Sequence, residues 1–534
     1  MLDAIIISGS GSDTYSASSP LRLKIDGRIA LIQNVKNYLD NKGKIIDPII
    51  GENENNWHFA PKLNGIKLYD YLQKQGHNVE LIDSYRHERN DLINLMKDNP
   101  KAVIISTTFI LNKDSLCELV DEIRLIAPDI FIIAGGPFVL SSYLLLQRSK
   151  EKGYDIDSPK NDYLFLSNDN RPDIDLYIID KSGEQILSEA LGRIKAGDTL
   201  NSLPNTAQWS GKEYVFSSRK KLLLPDIGID WNTIPNKIFK SGVINIQASI
   251  GCPFNCKFCN FVKDKQYTFI KPIDQLIREL KSLSNKGIKY VRFVDDNFRL
   301  GKNDLNDVCK RFINEELDLK WMSFIRASSL IDADLELLKK SGCVEAQIGI
   351  ESADKGILNN MNKQADPEMY YSVVSNLLDV GINCSCCFIV GFPGETRETF
   401  ERTVDFIQSI KKEKQVGMFF WSMYPFVLAP LTPIYESKNR AKYNLEGYMN
   451  KWKHSTMNSE QAIKNIIEAF IKIDNASPIY SGDNIDMLMK LSFIKRKEFM
   501  RLRHKLSKRF SNEPFDKTEV LSSFSNIFFE QVKL

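Results

Sequence analysis

Short apolar runs alternating with amphipathic segments recur in two series along this chain, and that alternation confines it to α/β architectures. The first series has apolar runs at 4–7, 79–83, 102–106, 130–134 and 176–180, with helical periodicity at 68–75, at 116–126 and from 184 to 194. Strands separated by helices pair in parallel, so this part predicts a doubly wound sheet whose ligands lie beyond the strand carboxyl ends. The second series begins at Gly242, with candidate strands at 243–248, 290–294, 321–325, 345–350, 384–390 and 417–421. Amphipathic helices such as 272–283 and 367–380 fall between them. Six β-α repeats are too few for an eight-fold barrel and predict a partial (β/α)6 barrel with its active site at the strand carboxyl ends. After Pro433 the strand signals fade, and 459–473 and 486–507 have helical patterns. The expected organisation is a sheet domain at 1–215, a linker at 216–241, a barrel at 242–432 and a helical cap at 433–534. Two polar stretches, 13–61 and 141–172, interrupt the first series and are candidates for lids or surface loops.

A chain of 534 residues exceeds what one hydrophobic core supports. At 43% hydrophobic and 26% charged it has the apolar material for two or three. Its 71 basic and 68 acidic residues nearly cancel, giving +3. That balance offers no electrostatic case for nucleic acid or an anionic membrane. The basic run at 495–509 reads as a solvated helix face. No apolar stretch is long enough to span a bilayer, and the first residues read as a buried strand, not a secretory signal. A cytoplasmic monomer is the expectation. The nine cysteines are an odd number in a large chain, which argues against a disulfide framework.

Three of those cysteines fall in Gly251-Cys252-Pro253-Phe254-Asn255-Cys256-Lys257-Phe258-Cys259. Thiolates are soft ligands that suit iron–sulfur clusters or zinc. Three closely spaced cysteines hold three irons of a cubane and leave the fourth open. Structural zinc needs a fourth Cys or His nearby, and the nearest histidines are His87 and His454. The other six cysteines read as small buried hydrophobes, with Cys384, Cys386 and Cys387 also candidates for the active site.

The spacing C-x3-C-x2-C after a first barrel strand, with Phe258 before the last cysteine, resembles the radical S-adenosylmethionine (SAM) signature. The resemblance implies a 4Fe–4S cluster on Cys252, Cys256 and Cys259 and SAM at the open iron. Later strand ends agree with it. Asp295 and Asp296 follow the second strand, where the family contacts the methionine end of SAM. Arg326 follows the third. Glu351 and Ser352 end the fourth and look like the ribose-side motif. Gly391, in Val390-Gly391-Phe392-Pro393-Gly394-Glu395, ends the fifth and looks like the adenine-side motif, with Phe258 as an apolar surface. Taken singly, the two aspartates serve equally well as caps and the glycines as a plain turn. Their joint placement at successive strand ends favours the ligand roles.

The N-terminal sheet resembles the Rossmann-like cobalamin-binding domain of one radical SAM subclass. The residues that carry this are Ser106, Thr107 and Thr108, then Gly135 and Gly136, then Gly183 and Glu184, each group after a strand. The Asp-x-His-x-x-Gly motif that supplies a cobalt ligand in many cobalamin proteins is absent, and His58, His77 and His87 lie in other contexts.

The resemblance to class B radical SAM methyltransferases, with C- and phosphinate P-methylating members, implies methylation of an unactivated carbon or phosphorus centre. It implies an external electron donor such as flavodoxin or ferredoxin, and the lack of any visible peptide- or nucleic-acid-recognition module points to a small, natural-product-like substrate. Tyr424 and His454, with Trp421 and Trp452, follow the sixth strand or begin the cap and are candidate catalytic or pocket residues. Three alternatives stay open: a non-methylating rearrangement or cyclisation, a methylthiotransferase, and a SAM- or cobalamin-binding sensor.

Overall fold

The computed structural model describes residues 2–9, 21–44, 57–222, 228–260, 269–298, 305–410, 416–480 and 482–529. It divides into two compact units, and the chain crosses between them more than once. One comprises Met1–Thr14, Pro61–Pro235 and Ala429–Asn439. The other comprises Tyr15–Ala60, Asn236–Leu428 and Arg440–Leu534.

The first unit is built on a seven-stranded sheet. Its strands are β1 (Ala4–Ile7), β2 (Val79–Ile82), β3 (Ala102–Ser106), β4 (Phe131–Gly135), β5 (Leu176–Ile178), β6 (Thr206–Trp209) and β7 (Tyr214–Phe216), in the order β2-β1-β3-β4-β5-β6-β7. The first five are parallel and the last two antiparallel. All four residues of β1 and all five of β3 are buried, as in a parallel sheet covered on both faces. The order reverses between β1 and β3, the switch point at which such sheets bind ligands. Within the second predicted insertion, residues 141–148 complete the helix Pro137–Arg148, and Leu164 and Phe165 join the core, so that stretch is not a surface loop throughout.

The second unit holds a wholly parallel sheet. Its strands are β8 (Val243–Ile246), β9 (Tyr290–Phe293), β10 (Lys320–Phe324), β11 (Cys343–Glu351), β12 (Asn383–Val390), β13 (Phe419–Pro425) and the two-residue β14 (Ser477–Pro478), adjacent in that order. Six β-α repeats thus appear as expected, with one further short strand. The helix Pro367–Val380 illustrates the local logic. Asp366 accepts from the Met369 amide, Pro367 opens the first turn, and Gly381 closes the last at φ +85°.

Side chains of β12 alternate. Cys384 meets the Val374 carbonyl, and Phe388 lies 6.4 Å from Phe406, both on flanking helices. The opposite set, Ser385, Cys387 and Ile389, faces the barrel interior. Register carries that row across to Gln347 on β11 and to Phe420, Ser422 and Tyr424 on β13.

The C-terminal part is mainly helical, with Ser459–Lys472, Ile485–Lys490, Phe493–Phe510 and Lys517–Phe528. The helix expected at 486–507 is two helices, because Leu491 is extended and the Ser492 hydroxyl caps the second. A three-stranded antiparallel sheet of Glu446–Tyr448, Lys451–His454 and Met457–Asn458 also lies here. Its strands are too short to give a period-2 pattern.

The first predicted insertion is only partly a loop; its residues 13–20 and 45–56 lie outside the described residues. Leu23, Ile25, Ala30, Ile32, Val35 and Tyr38 join Phe499, Leu506, Val520 and Phe524 in one core. Arg503, within the basic run, is fully buried there and pairs bidentately with Asp483 at 2.7 and 2.8 Å. Asp483 also accepts from the Ile32 amide, and Arg503 donates to the Ala30 carbonyl.

Candidate active site

Between β8 and residue 260 the chain carries its three clustered cysteines on a loop held from below. The buried Asp295 carboxylate, just past β9, accepts from the Ser249 hydroxyl at 2.6 Å and from the amides of Ala248 and Ser249. Burial pushes this carboxyl up to about 6. Asp296 accepts from the Gly251 amide at 2.8 Å. Both aspartates therefore fix the entry to the loop. Cys256 is buried, whereas Cys252 and Cys259 are half-buried. Among the described residues no three His, Cys, Asp or Glu side chains converge on a point that would hold a single metal ion.

Arg326, just past β10, stacks its guanidinium 3.5 Å from the Phe254 ring centroid. It faces the Cys256 sulfur at 3.8 Å and donates to the Lys363 carbonyl. Glu351, the last residue of β11, has φ +67° at a break in the ladder register. Such irregularities re-aim side chains near active sites. Its carboxylate accepts from the buried Lys363 ammonium at 2.8 Å, and that ammonium lies 5.8 Å from the Phe258 ring centroid. Lys363 escaped the sequence reading because nothing local marks a lysine twelve positions on as the partner of Glu351. Ser352 is fully buried and accepts from the Asp354 amide, which fixes the turn after β11.

The turn after β12 is held on three sides. Gly391 sits at φ +90°, where a Cβ would fall 2.3 Å from the Trp452 ring. Its amide donates to Glu395, a fully buried carboxyl pushed up to about 8 by burial. Its carbonyl lies 3.2 Å from His454 Nε2. His454 stacks on Trp452 with centroids 5.3 Å apart, and burial lowers its imidazole. Its contacts tie the small antiparallel sheet to the turn. Phe392 lies edge-on to Phe258 at 6.5 Å and to Phe426 at 5.2 Å. Phe258, Phe392, Glu351, Lys363 and Arg326 thus share one wall beside the cysteine loop.

Tyr424 ends the interior row of β13, partly exposed, its hydroxyl raised by burial. Trp421 faces outward instead: fully buried, it donates to the Ala476 carbonyl. Burial pushes the Cys387 thiol up to about 12, and Gln347 approaches it at 3.9 Å. Cys384 and Cys386 are fully buried and point toward the helices.

In the first unit the carboxyl ends of β1 and β3 are bridged by Asn64. Its amide donates to the Ser8 carbonyl at 2.8 Å and to Ser106 Oγ at 2.7 Å. Thr108 lies 3.2 Å from the same hydroxyl, and Thr107 donates to the Gly135 carbonyl. Gly136 has φ +108°, and a Cβ there would fall 3.1 Å from Thr107 Oγ1. Phe109 and Leu111, which follow β3, are exposed by 42% and 74%. Gly183 packs against Ile178 and precedes Glu184, whose carboxyl burial raises. His77 Nε2 is bonded to Ser188 Oγ and precedes β2, at the far end of the sheet from this crevice. His87 Nδ1 meets Ser84.

The chain is 25% identical over 426 residues to an uncharacterized methyltransferase of Pyrococcus horikoshii, covering 76% of this chain and 86% of that protein. It is 30% identical over 275 residues to the bacteriochlorophyllide d C-12(1)-methyltransferase of Chlorobaculum tepidum, covering 49% and 56% respectively. The fold is similar to that of OxsB, a cobalamin-dependent S-adenosylmethionine radical enzyme solved with aqua-cobalamin bound. The TM-score is 0.56 at 15% identity, covering 98% of this chain and 75% of that one. The sequence model of the Radical SAM superfamily matches residues 246–407. That span runs from the end of β8, through the cysteine loop and the ends of β9 to β12, into the helix after β12, and this part of the chain belongs to the Radical SAM superfamily.

Proposed function

We propose that this chain is a cobalamin-dependent radical SAM methyltransferase acting on an unactivated carbon or phosphorus centre of a small, natural-product-like substrate. The observation that carries the reading is the pairing, in one chain, of the cysteine loop on a parallel barrel with a sheet of order 2-1-3-4-5 that reverses at β1 and β3. Two relatives named as methyltransferases support it.

The residues suit the groups. Cys252, Cys256 and Cys259 offer three thiolates to a 4Fe–4S cluster, on a loop fixed by Asp295 and Asp296. Phe109 and Leu111, exposed beside Ser106, Thr107 and Thr108, match a large flat ring edged with amides. When bound, the cluster supplies the electron that cleaves SAM to a 5′-deoxyadenosyl radical, and cobalamin carries the methyl group a second SAM provides. Arg326 and the Lys363–Glu351 pair bind the polar end and ribose of SAM, while Phe258, Phe392 and the Gly391 turn shape the adenine side. His454 is a positioning residue for that turn, and Tyr424 faces the substrate. An external flavodoxin- or ferredoxin-type donor would supply that electron.

The test needs no substrate. Anaerobically reconstituted protein holds about four irons. With reductant it forms 5′-deoxyadenosine from SAM. With cob(I)alamin and methyl-labelled SAM it forms labelled methylcobalamin and S-adenosylhomocysteine. The triple Cys252→Ala, Cys256→Ala, Cys259→Ala variant loses the iron and the 5′-deoxyadenosine. Radical cleavage by the wild type without methylation of the corrinoid would favour a rearrangement or cyclisation instead.

A further inference from the structure

Arg22 lies in the Tyr15–Ala60 segment that belongs with the barrel. Its surroundings are unusual for a guanidinium. Its Nε is buried with no hydrogen-bond partner, and among the described residues no carboxylate pairs with it. The groups around it are Tyr480, whose ring centroid is 5.4 Å away, then Tyr424, Arg503 and Asp483. Asp483 is already committed to Arg503 through both oxygens. Tyr480 is committed too, its hydroxyl 2.6 Å from Ser507 Oγ and its ring 3.8 Å from the Arg503 guanidinium. Among the described residues Arg22 is therefore a partly buried cation beside a second cation, without an anion of its own. Such a charge is costly unless something pairs with it.

The backbone fixes where this charge stands. The Leu23 amide donates to Ser507 Oγ, the same hydroxyl that Tyr480 meets, so the chain beside Arg22 is pinned to Tyr480. Tyr480 lies just beyond β14, and Tyr424 is the penultimate residue of β13. Both mark carboxyl ends of barrel strands, where this architecture binds its substrate. Tyr424 also ends the row through Ser422, beside Cys387 and Gln347, that faces the interior.

We propose that Arg22 binds an oxyanion of the substrate, a carboxylate or phosphoryl group, at the barrel mouth beside Tyr424. The inference rests on the substrate lying in the barrel, as in the proposed function, and narrows its class to small anionic molecules. A guanidinium presents a planar fork of donors that matches either group, and it stays charged at any working pH.

Acetate and methylphosphonate serve as probes, with acetamide as the neutral control, on the full reconstituted chain. Saturation-transfer NMR of acetate and phosphorus line broadening of methylphosphonate report binding. Wild type binds both anions and not acetamide. Arg22→Gln weakens both by about tenfold or more, the loss expected for a charge-assisted hydrogen bond. Arg22→Lys restores part of the binding, and Arg501→Gln, on an exposed surface, leaves it unchanged. Thermal melts of each variant confirm folding. If Arg22→Gln does not fold, Arg22→Lys and the acetate–acetamide contrast in wild type decide the question. Equal binding by wild type and Arg22→Gln, or equal binding of acetate and acetamide, would overturn the proposal. SAM cleavage by the wild type is scored separately, so loss of the anion site and loss of radical chemistry are told apart.

Discussion

Glu395 is the residue whose protonation the fold controls most visibly. It is fully buried, accepts from the Gly391 amide, and is pushed by burial from 4.5 to about 8. The folded chain holds a proton there that the unfolded chain releases above about 4.5. Stability from this group is therefore complete below that pH and is lost progressively up to about 8, beyond which it changes no further. The whole loss is about 3–5 kcal/mol. Glu395→Gln keeps the acceptor and removes the ionisation. We expect the variant to match wild type at pH 4.5 and to melt at higher temperature at pH 9. Parallel melting curves for the two proteins across that range would show that Glu395 does not titrate as its burial demands. Lys363 and Glu351 show the other way to bury charge, since each neutralises the other at 2.8 Å.

At the scale of elements, the carboxyl ends of the barrel strands carry the candidate site, and two of them are shaped by a backbone irregularity. β11 ends in a register shift with Glu351 at positive φ, and β12 ends in Gly391 at φ +90° against Trp452. Gly391→Ala forces a methyl into the indole and strains the backbone. We expect a loss of about 2–4 kcal/mol in stability and a higher KM for SAM, read by thermal melting and by 5′-deoxyadenosine formation. A fall in stability without any change in KM would separate this turn from SAM binding. These ends were legible in the sequence because a strand, its exit and its motif are contiguous: Asp295, Arg326, Glu351 and Gly391 each directly follow or close an apolar run. Partners brought in from elsewhere were not legible. Asn64 bridges β1 and β3, His454 supports Gly391, and Arg22 reaches Tyr480 only through tertiary packing. Residues 21–44 looked like a polar insertion because their apolar positions are interspersed with polar ones and their core partners follow some 450 positions later.

Across the whole molecule, the Arg503–Asp483 pair decides whether that early segment stays in place. Asp483 bonds both nitrogens of Arg503 and the Ile32 amide, and the pair is almost wholly buried. Asp483→Asn removes the countercharge and leaves a buried guanidinium. The expected cost is about 3–5 kcal/mol. It should appear as a lower denaturation midpoint and as proteolytic cleavage within 21–44 under native conditions. Unchanged protection of that segment would mean that its apolar contacts alone hold it. Among the described residues no helix is long and apolar enough to cross a membrane.

The same connectivity has a consequence for synthesis on the ribosome. Leu23 bonds a side chain 484 positions further along, at Ser507. At about 5–20 residues per second, roughly half a minute to a minute and a half separates the emergence of the two. Throughout that interval Leu23, Ile25, Ile32, Val35 and Tyr38 have no core to enter, although the neighbouring sheet that starts at β1 can already form. The nascent chain thus displays an unburied apolar segment long after the last strand of its first sheet, Tyr214–Phe216, has been made, which makes it a natural client for holding chaperones and exposes it to aggregation when translation outpaces them.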